Sequence, residues 1–321
     1  MDWNGIFSGA LSDMIGPFAA IYALAAVGLN LHFGYTGLLN FGHVAFMLVG
    51  AYGVEVGVVT FGLSFWLGLL IAIAASIVLA VILGIPTLRL RGDYLAIATI
   101  AAAEVLRLFF NSSYTQSVTN GSFGIGPANG TFASLSPFVG AKTYQLWKFQ
   151  YTGATLWVMI VTWVLVILGC ILMFLLMRSP WGRVLRSVRE DELAARSLGK
   201  NVYSFKMQSL VLGGVIGGLA GVMYAMEVPV QYPNNFMPEI TFYLWVIVIL
   251  GGAGRILGPV LGSIIFWFVF SFLGSFLTGL FPNSNVGAAR IAIVGVILML
   301  LMVFRPAGIL GNKEEMRLEV R

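Results

Sequence analysis

Side chains able to do chemistry are scarce in this chain of 321 residues, which has two His, one Cys, 13 Asp and Glu and 18 Lys and Arg. The two histidines, His32 and His43, are not at metal-ligand spacing, and Cys170 stands alone inside an apolar run. No nucleophile is paired with a base. A phosphate loop needs Gly-Lys followed by Ser or Thr, but Gly199-Lys200 is followed by Asn201. The glycine-rich run Thr119-Asn-Gly-Ser-Phe-Gly-Ile-Gly-Pro127 lacks that lysine and follows no strand signal. The chain is therefore expected not to be an enzyme and to carry no cofactor or metal. If ATP drives its work, ATP is bound by another subunit.

Three groupings of polar residues remain. The largest is the segment 178–206, where Arg183, Arg186, Arg189 and Arg196 surround the acidic triplet Glu190-Asp191-Glu192. Val184, Leu185, Val188, Leu193 and Leu198 approximate one apolar stripe, Ser179-Pro180 marks a start and Gly199 a stop. That reads as one or two short amphipathic helices. A purely basic face would rest on anionic lipid, whereas the acidic triplet suits a groove on a protein partner. Glu104 and Arg107 form the second grouping; three residues apart, they share one helix face as a structural pair or a gating contact. Asn40 and His43, among Gly34, Gly37 and Gly42, form the third. They either contact substrate where a helix unwinds or satisfy neighbouring helices. His32, beside Asn30, reads as structural. Glu55, Glu227 and Glu239 read as solvated carboxylates at the outer rim. Arg255 in its glycine-rich turn faces phospholipid or another subunit.

The elements that position these groups are membrane spans. Hydrophobic residues make up 59% of the chain and charged ones only 10%, with a mean hydropathy of +0.93. Soluble domains carry roughly 25% charged residues. The apolar runs are continuous rather than alternating, so helices are expected instead of a barrel. Nine spans are expected, with eight or ten as variants: 15–33, 38–61, 63–85, 94–110, 155–177, 207–226, 240–250, 259–281 and 288–304. The seventh is short enough to be a half-helix. The first 14 residues have no Lys or Arg and so lack the basic start of a secretory signal.

Charge then orients the spans. With the C-terminus in the cytoplasm, segments 86–93, 178–206, 251–258 and 305–321 hold 14 of the 18 cations on that side. The positive-inside rule is met, the N-terminus is outside, and the net charge of +5 reports topology rather than nucleic-acid binding. The expected fold is an all-α polytopic membrane protein with its C-terminus cytoplasmic. It is one permease domain over 1–321, with a coupling loop 178–206, an external loop 111–153 and a cytoplasmic tail 305–321.

The segment 179–199 resembles the coupling loop of ABC importer permeases, most closely branched-chain amino-acid permeases of the LivM type. It is similar to that family's S-P-x-G-R-x-L-x-x-[IV]-R-E-[DN]-E-x-A-A-x-x-x-G. Ala194, Ala195 and Gly199 keep the register of the broader importer signature, whereas Leu193 replaces its leading Glu. Gly34-Tyr-Thr-Gly-Leu-Leu-Asn-Phe-Gly-His43, Thr87-Leu-Arg-Leu-Arg-Gly-Asp-Tyr-Leu-Ala-Ile97, Gly251-Gly-Ala-Gly-Arg-Ile-Leu-Gly-Pro259 and Arg305-Pro-Ala-Gly-Ile-Leu-Gly311 resemble further motifs of the family, in order. The run 119–127 is similar to its external T-G-G-x-x-G-I segment, with Asn120 at the usual first Gly. That run is either a loop meeting a solute-binding protein or a turn-rich connector.

The resemblance implies half of an amino-acid pore in a prokaryotic inner membrane. The implied partners are a related permease of LivH type, two ABC ATPase subunits and an external solute-binding protein. Arg183, Arg186, Arg189, Glu190, Asp191, Glu192, Ala194, Ala195 and Gly199 would then couple to the ATPases. Asn40, His43, Tyr94 and Glu104 would lie along the substrate path. Within the class the rival is a urea or short-amide permease. Outside it the rival is an ion-coupled carrier, which would need more intramembrane carboxylates than Glu104 supplies.

Overall fold

Apolar side chains that cannot all be buried inside a bundle define the architecture. The computed structural model describes residues 3–90, 92–128, 130–138, 142–146, 149–281, 286–304 and 308–310. In chain order the helices are α1 (Trp3–Ile15), α2 (Pro17–Asn30), α3 (His43–Glu55), α4 (Phe65–Thr87), α5 (Gly92–Asn111), α6 (Gln116–Thr119) and α7 (Gly130–Ser134). A hairpin follows, β1 (Thr143–Leu146) antiparallel to β2 (Phe149–Thr152), with Thr143 opposite Thr152. Then come α8 (Gly153–Arg178), α9 (Pro180–Glu190), α10 (Glu192–Ser197), α11 (Val202–Glu227), α12 (Pro238–Gly251), α13 (Gly258–Leu280) and α14 (Val286–Phe304).

Among the described residues seven helical stretches are long and apolar enough to cross a membrane, and an eighth counts if α5 and the turn 113–119, bent by 60°, are one span. All nine expected spans meet a helix. The fourth is the bent pair, and the ninth falls on α14, Val286–Phe304. The seventh is no half-helix: with the turn before α12 it runs Pro233–Gly251, 19 residues. Helix α1 was not among the expected spans; it packs along α13. The expected tail 305–321, apart from 308–310, lies outside the described residues, as do Arg91 and Lys148.

Helix α2 is apolar all round and buried on every side, as a helix must be at the centre of a bundle. Helices α8, α11, α12 and α13 pack around it, and α3 and α4 close on α11. Helices α4 and α8 each show a stripe of exposed large apolar residues, such as Leu70, Ile82, Ile167 and Leu175. Surfaces of that kind are unstable in water and suit hydrocarbon.

Small residues set how closely the centre packs. Helix α11 carries Gly213, Gly214, Gly217, Gly218 and Gly221, and a Cβ on any of them would collide with α2, α3 or α4. At Gly221 it would strike the Met47 backbone, and at Gly50 of α3 the Gly218 backbone. Without water to drive association, van der Waals packing of this kind holds membrane helices together.

Candidate functional site

The segment 178–206 folds as two helices. Ser179 caps α9, its Oγ accepting from the Gly182 amide at 3.5 Å, with Pro180 at the first helical position. Asp191 breaks the run in an extended conformation and caps α10, accepting from Leu193 and Ala194 amides at 2.8 and 3.0 Å. Gly199, in the left-handed region, ends α10, and the Lys200 amide closes back on the Ala195 carbonyl at 3.2 Å. Both sequence signals, start and stop, fall where expected because capping is local.

The single apolar stripe does not survive the break at Asp191. Leu185 and Val188 are buried under α9, and Ala195 packs with Val188 and Val202. Leu193 and Leu198 instead point outward, 74% and 77% exposed. The turn at Asp191 rotates α10 relative to α9, so two apolar positions that would continue one stripe lie on the free face. Arg183, Glu190 and Ala194 are exposed with them.

Several other charges of the segment are tethered to neighbouring groups, with Arg186, Arg189 and Arg196 still exposed. Arg186 Nη2 donates to the Met177 carbonyl at 2.6 Å. Arg189 Nη1 donates to the Gly34 carbonyl. Glu192 accepts from Arg196 at 2.5 Å and also pairs with Lys206. Burial pushes the Glu192 carboxyl up, but Lys206 and Arg196 outweigh it and hold the group below its ordinary value.

Arg189 thereby touches the irregular stretch between α2 and α3. Helix α2 ends in one π-helical turn, Leu31–Tyr35, and α3 begins only at His43, five residues later than the expected span. Gly37 occupies the left-handed region. Non-helical backbone at this depth must have its polar groups satisfied. They are met by protein: Leu38 donates to the His32 carbonyl at 2.8 Å, Phe41 to Thr99 Oγ1 at 3.1 Å and Val44 to Thr241 Oγ1 at 3.1 Å.

Asn40 and His43 belong to this knot. Asn40 Oδ1 accepts from Gly42 at 2.9 Å and its amide reaches His32 Nδ1 at 3.1 Å. His32 Nε2 meets the Leu210 carbonyl at 3.2 Å, and the two imidazoles stand edge to face, 5.3 Å apart. The His43 ring lies against Gly28 and Gly217, where an added Cβ would come within 3.2 and 2.7 Å of it. Asn30 clasps the neighbouring turn, accepting from Gly254 at 2.8 Å and donating to the Arg255 carbonyl at 2.9 Å.

Tyr94 and Glu104 lie elsewhere, on α5. Leu95, Thr99, Ala103 and Arg107 form the buried stripe of α5, while Tyr94, Ile97, Val105 and Leu108 are exposed. Arg107 grips both Glu104 oxygens, at 2.9 and 2.5 Å, and also Asn234. The pair therefore ties the C-terminal half of α5 to the turn Pro233–Phe236.

The outer carboxylates correct the expectation of a solvated rim. Glu55 is completely buried, beneath the backbone of Gly126, and Glu227 and Glu239 are half-buried. The segment around Gly126 folds back over Glu55: Ile125 and Gln231 exchange backbone hydrogen bonds at 3.0 and 2.8 Å. Asn120 explains its own departure from the glycine pattern. It holds φ +59, which Asn tolerates, and its side chain bonds the Gly124 carbonyl at 2.6 Å.

A multi-span helical bundle, broken at its centre and carrying a capped helix pair at one end, is built as a membrane permease. The chain belongs to the family of the permease component of branched-chain amino acid transport systems, which it matches over residues 14–305. It is 29% identical to the high-affinity branched-chain amino acid permease protein LivM of Escherichia coli, covering 96% of this chain and 72% of that one. It is 27% identical to the probable LivM of Methanocaldococcus jannaschii, over 94% of each. It is also 26% identical to the nucleoside ABC transporter permease protein NupC of Lactococcus lactis, over 67% of each. The resemblance seen in the motifs is thus shown across nearly the whole chain, as an ABC transporter permease and multi-pass membrane protein.

Two features bearing on the site were not drawn from the sequence. The glycine face of α11, Gly213-Gly-Val-Ile-Gly-Gly-Leu-Ala-Gly221, was readable as small residues at helical spacing. The β1–β2 hairpin had no comparable signal, since alternation over four residues is too short to stand out.

Proposed function

We propose that this chain forms half of the pore of an ABC importer that takes up branched-chain amino acids. It would work with a related permease, two ATPase subunits that bind the ATP, and an external solute-binding protein. Its place would be a prokaryotic inner membrane, with the N-terminus outside and the C-terminus in the cytoplasm. The observation that carries the coupling role is the outward face of α9–α10. Arg183, Glu190, Leu193 and Leu198 are exposed together, apolar and mixed in charge, on two helices whose other faces are anchored. Such a face suits a groove on another protein. The substrate reading rests on the LivM relatives. A nucleoside substrate is the second reading, supported by the nucleoside permease relative.

The test is co-expression with the candidate ATPases and partner permease, then uptake into proteoliposomes. Glu190→Lys combined with Leu193→Asp should abolish ATPase co-purification and leave membrane insertion intact. Normal co-purification removes the docking assignment. Labelled leucine against labelled uridine decides the substrate, and uptake by this chain alone on an ion gradient overturns the ABC reading.

A further inference from the structure

A groove lies outside the exposed face formed by Arg183, Glu190, Leu193 and Leu198 and away from α5, with Arg186 of α9 at one end. It has a volume of about 890 Å³ and runs along the outside of α8 against the turn that leads into α13. One wall is a continuous stripe of α8 that includes Trp163, Ile167, Cys170 and Phe174; Ile256 and Val260 form the other. From Trp163 to Arg178 the helix rises about 22 Å, more than the ~15 Å of one leaflet's hydrocarbon. One end carries Arg178, Arg186 and Arg255, and among the described residues no Asp or Glu lines the groove.

The arginines are positioned rather than loose. Arg178 stacks on Phe174, its guanidinium carbon 3.9 Å from the ring centroid. Arg186 is anchored to the last turn of α8 through the Met177 carbonyl. The Arg255 backbone is pinned by Asn30. We propose that this groove binds an anionic phospholipid, its phosphate held by Arg178, Arg186 and Arg255 and an acyl chain lying along α8. Phosphate oxygens match guanidinium forks, and the long apolar wall calls for a ligand with a hydrocarbon tail. The site depends on the chain's lying in a bilayer and not on what it transports.

The test uses the complete transporter, purified in mild detergent and analysed by native mass spectrometry with added phosphatidylglycerol or phosphatidylcholine. Phosphatidylglycerol should be retained selectively. Arg178→Gln, Arg186→Gln and Arg255→Gln together should weaken its retention about a hundredfold, the order expected for three basic residues at a membrane surface. Ile167→Trp, which fills the groove and keeps every arginine, should also displace the lipid; circular dichroism checks that both variants fold. Equal retention of the two lipids, or undiminished binding by either folded variant, overturns the proposal. So does inorganic phosphate occupying the arginines as tightly as the lipid, which would make this a free-anion site. Crosslinking from position 167 into the second permease would make it a subunit interface and would likewise overturn it.

Discussion

Arg189 on α9 donates a hydrogen bond to the backbone carbonyl of Gly34, in the π-helical turn that ends α2. The bond joins the α9–α10 helix pair to the broken centre of the bundle across 155 residues of sequence. Its partners are held by close packing: a side chain on Gly34 would collide with Asn30 and Gly254, and Arg189 lies against Gly37. A displacement of α9 therefore pulls on the stretch that carries Asn40 and His43. Arg189→Ala should leave ATPase association intact and lower transport per ATP hydrolysed severalfold in proteoliposomes. Arg189→Lys, which keeps the charge but not the planar fork, should recover part of it. Unchanged coupling in the alanine variant means the bond is only an anchor.

The glycine face of α11 makes a sharper stability prediction. Gly221→Ala places a methyl into the Met47 backbone, and neither helix can yield locally. Overpacking of this kind costs about 1–3 kcal/mol. Gly295→Ala, on α14 with nothing near the added carbon, should be neutral or stabilising by about 0.5–1 kcal/mol from helix propensity. Thermal denaturation of the two variants in the same detergent compares them directly. Equal melting temperatures would refute close packing of α11 on α3.

What was legible in the sequence was local or periodic. The spans followed from hydropathy, and the α9–α10 helices from Ser179, Pro180 and Gly199, whose effects reach only a turn away. What failed depended on distant segments meeting. Glu55 stands near the end of a span, where hydration is ordinarily cheap, yet it is buried because the backbone around Gly126 closes over it. That cover is held by Ile125 pairing with Gln231, more than 100 residues away. Leu193 and Leu198 failed for a different reason. A stripe drawn through 184–198 assumes one continuous helix, and Asp191 ends it midway. Asn40 and His43 stand out in the sequence as polar residues among glycines. Only the structure shows that their neighbours are His32, Gly28 and Gly217.

The Glu104–Arg107 pair should respond asymmetrically to substitution. The Arg107 side chain is 11% exposed and that of Glu104 37%. Glu104→Gln strands a nearly buried guanidinium that retains Asn234, whereas Arg107→Gln leaves a carboxylate that water can reach. Removing one partner of a fully buried pair costs about 3–5 kcal/mol, and this pair, partly hydrated, should lose less. Glu104→Gln is expected to destabilise by about 1–2 kcal/mol more than Arg107→Gln, with the double variant between them. Denaturant unfolding of the three variants measures the cycle. A reversed order would show that Arg107 is solvated where it meets the turn Pro233–Phe236.

Acid should loosen α10 before it disturbs the membrane bundle. Burial raises the Glu192 carboxyl, but Lys206 and Arg196 pull it below its unfolded value, so the folded state binds the proton less readily. The stabilisation is therefore complete above the ordinary carboxylate value of about 4.3 and disappears as pH falls through the lowered folded value. At neutral pH it is fully present and insensitive to small changes. Losing it frees Lys206 and Arg196 together, which leaves Ala195 and Val188 as the remaining anchor of α10. Hydrogen exchange at the amides of 193–198 should accelerate on acidification below about pH 4, beyond the intrinsic change measured for α9. In Glu192→Gln those amides should exchange faster already at neutral pH, with the extra acid step gone. An acid step that persists in the variant would show that Glu192 is not its source.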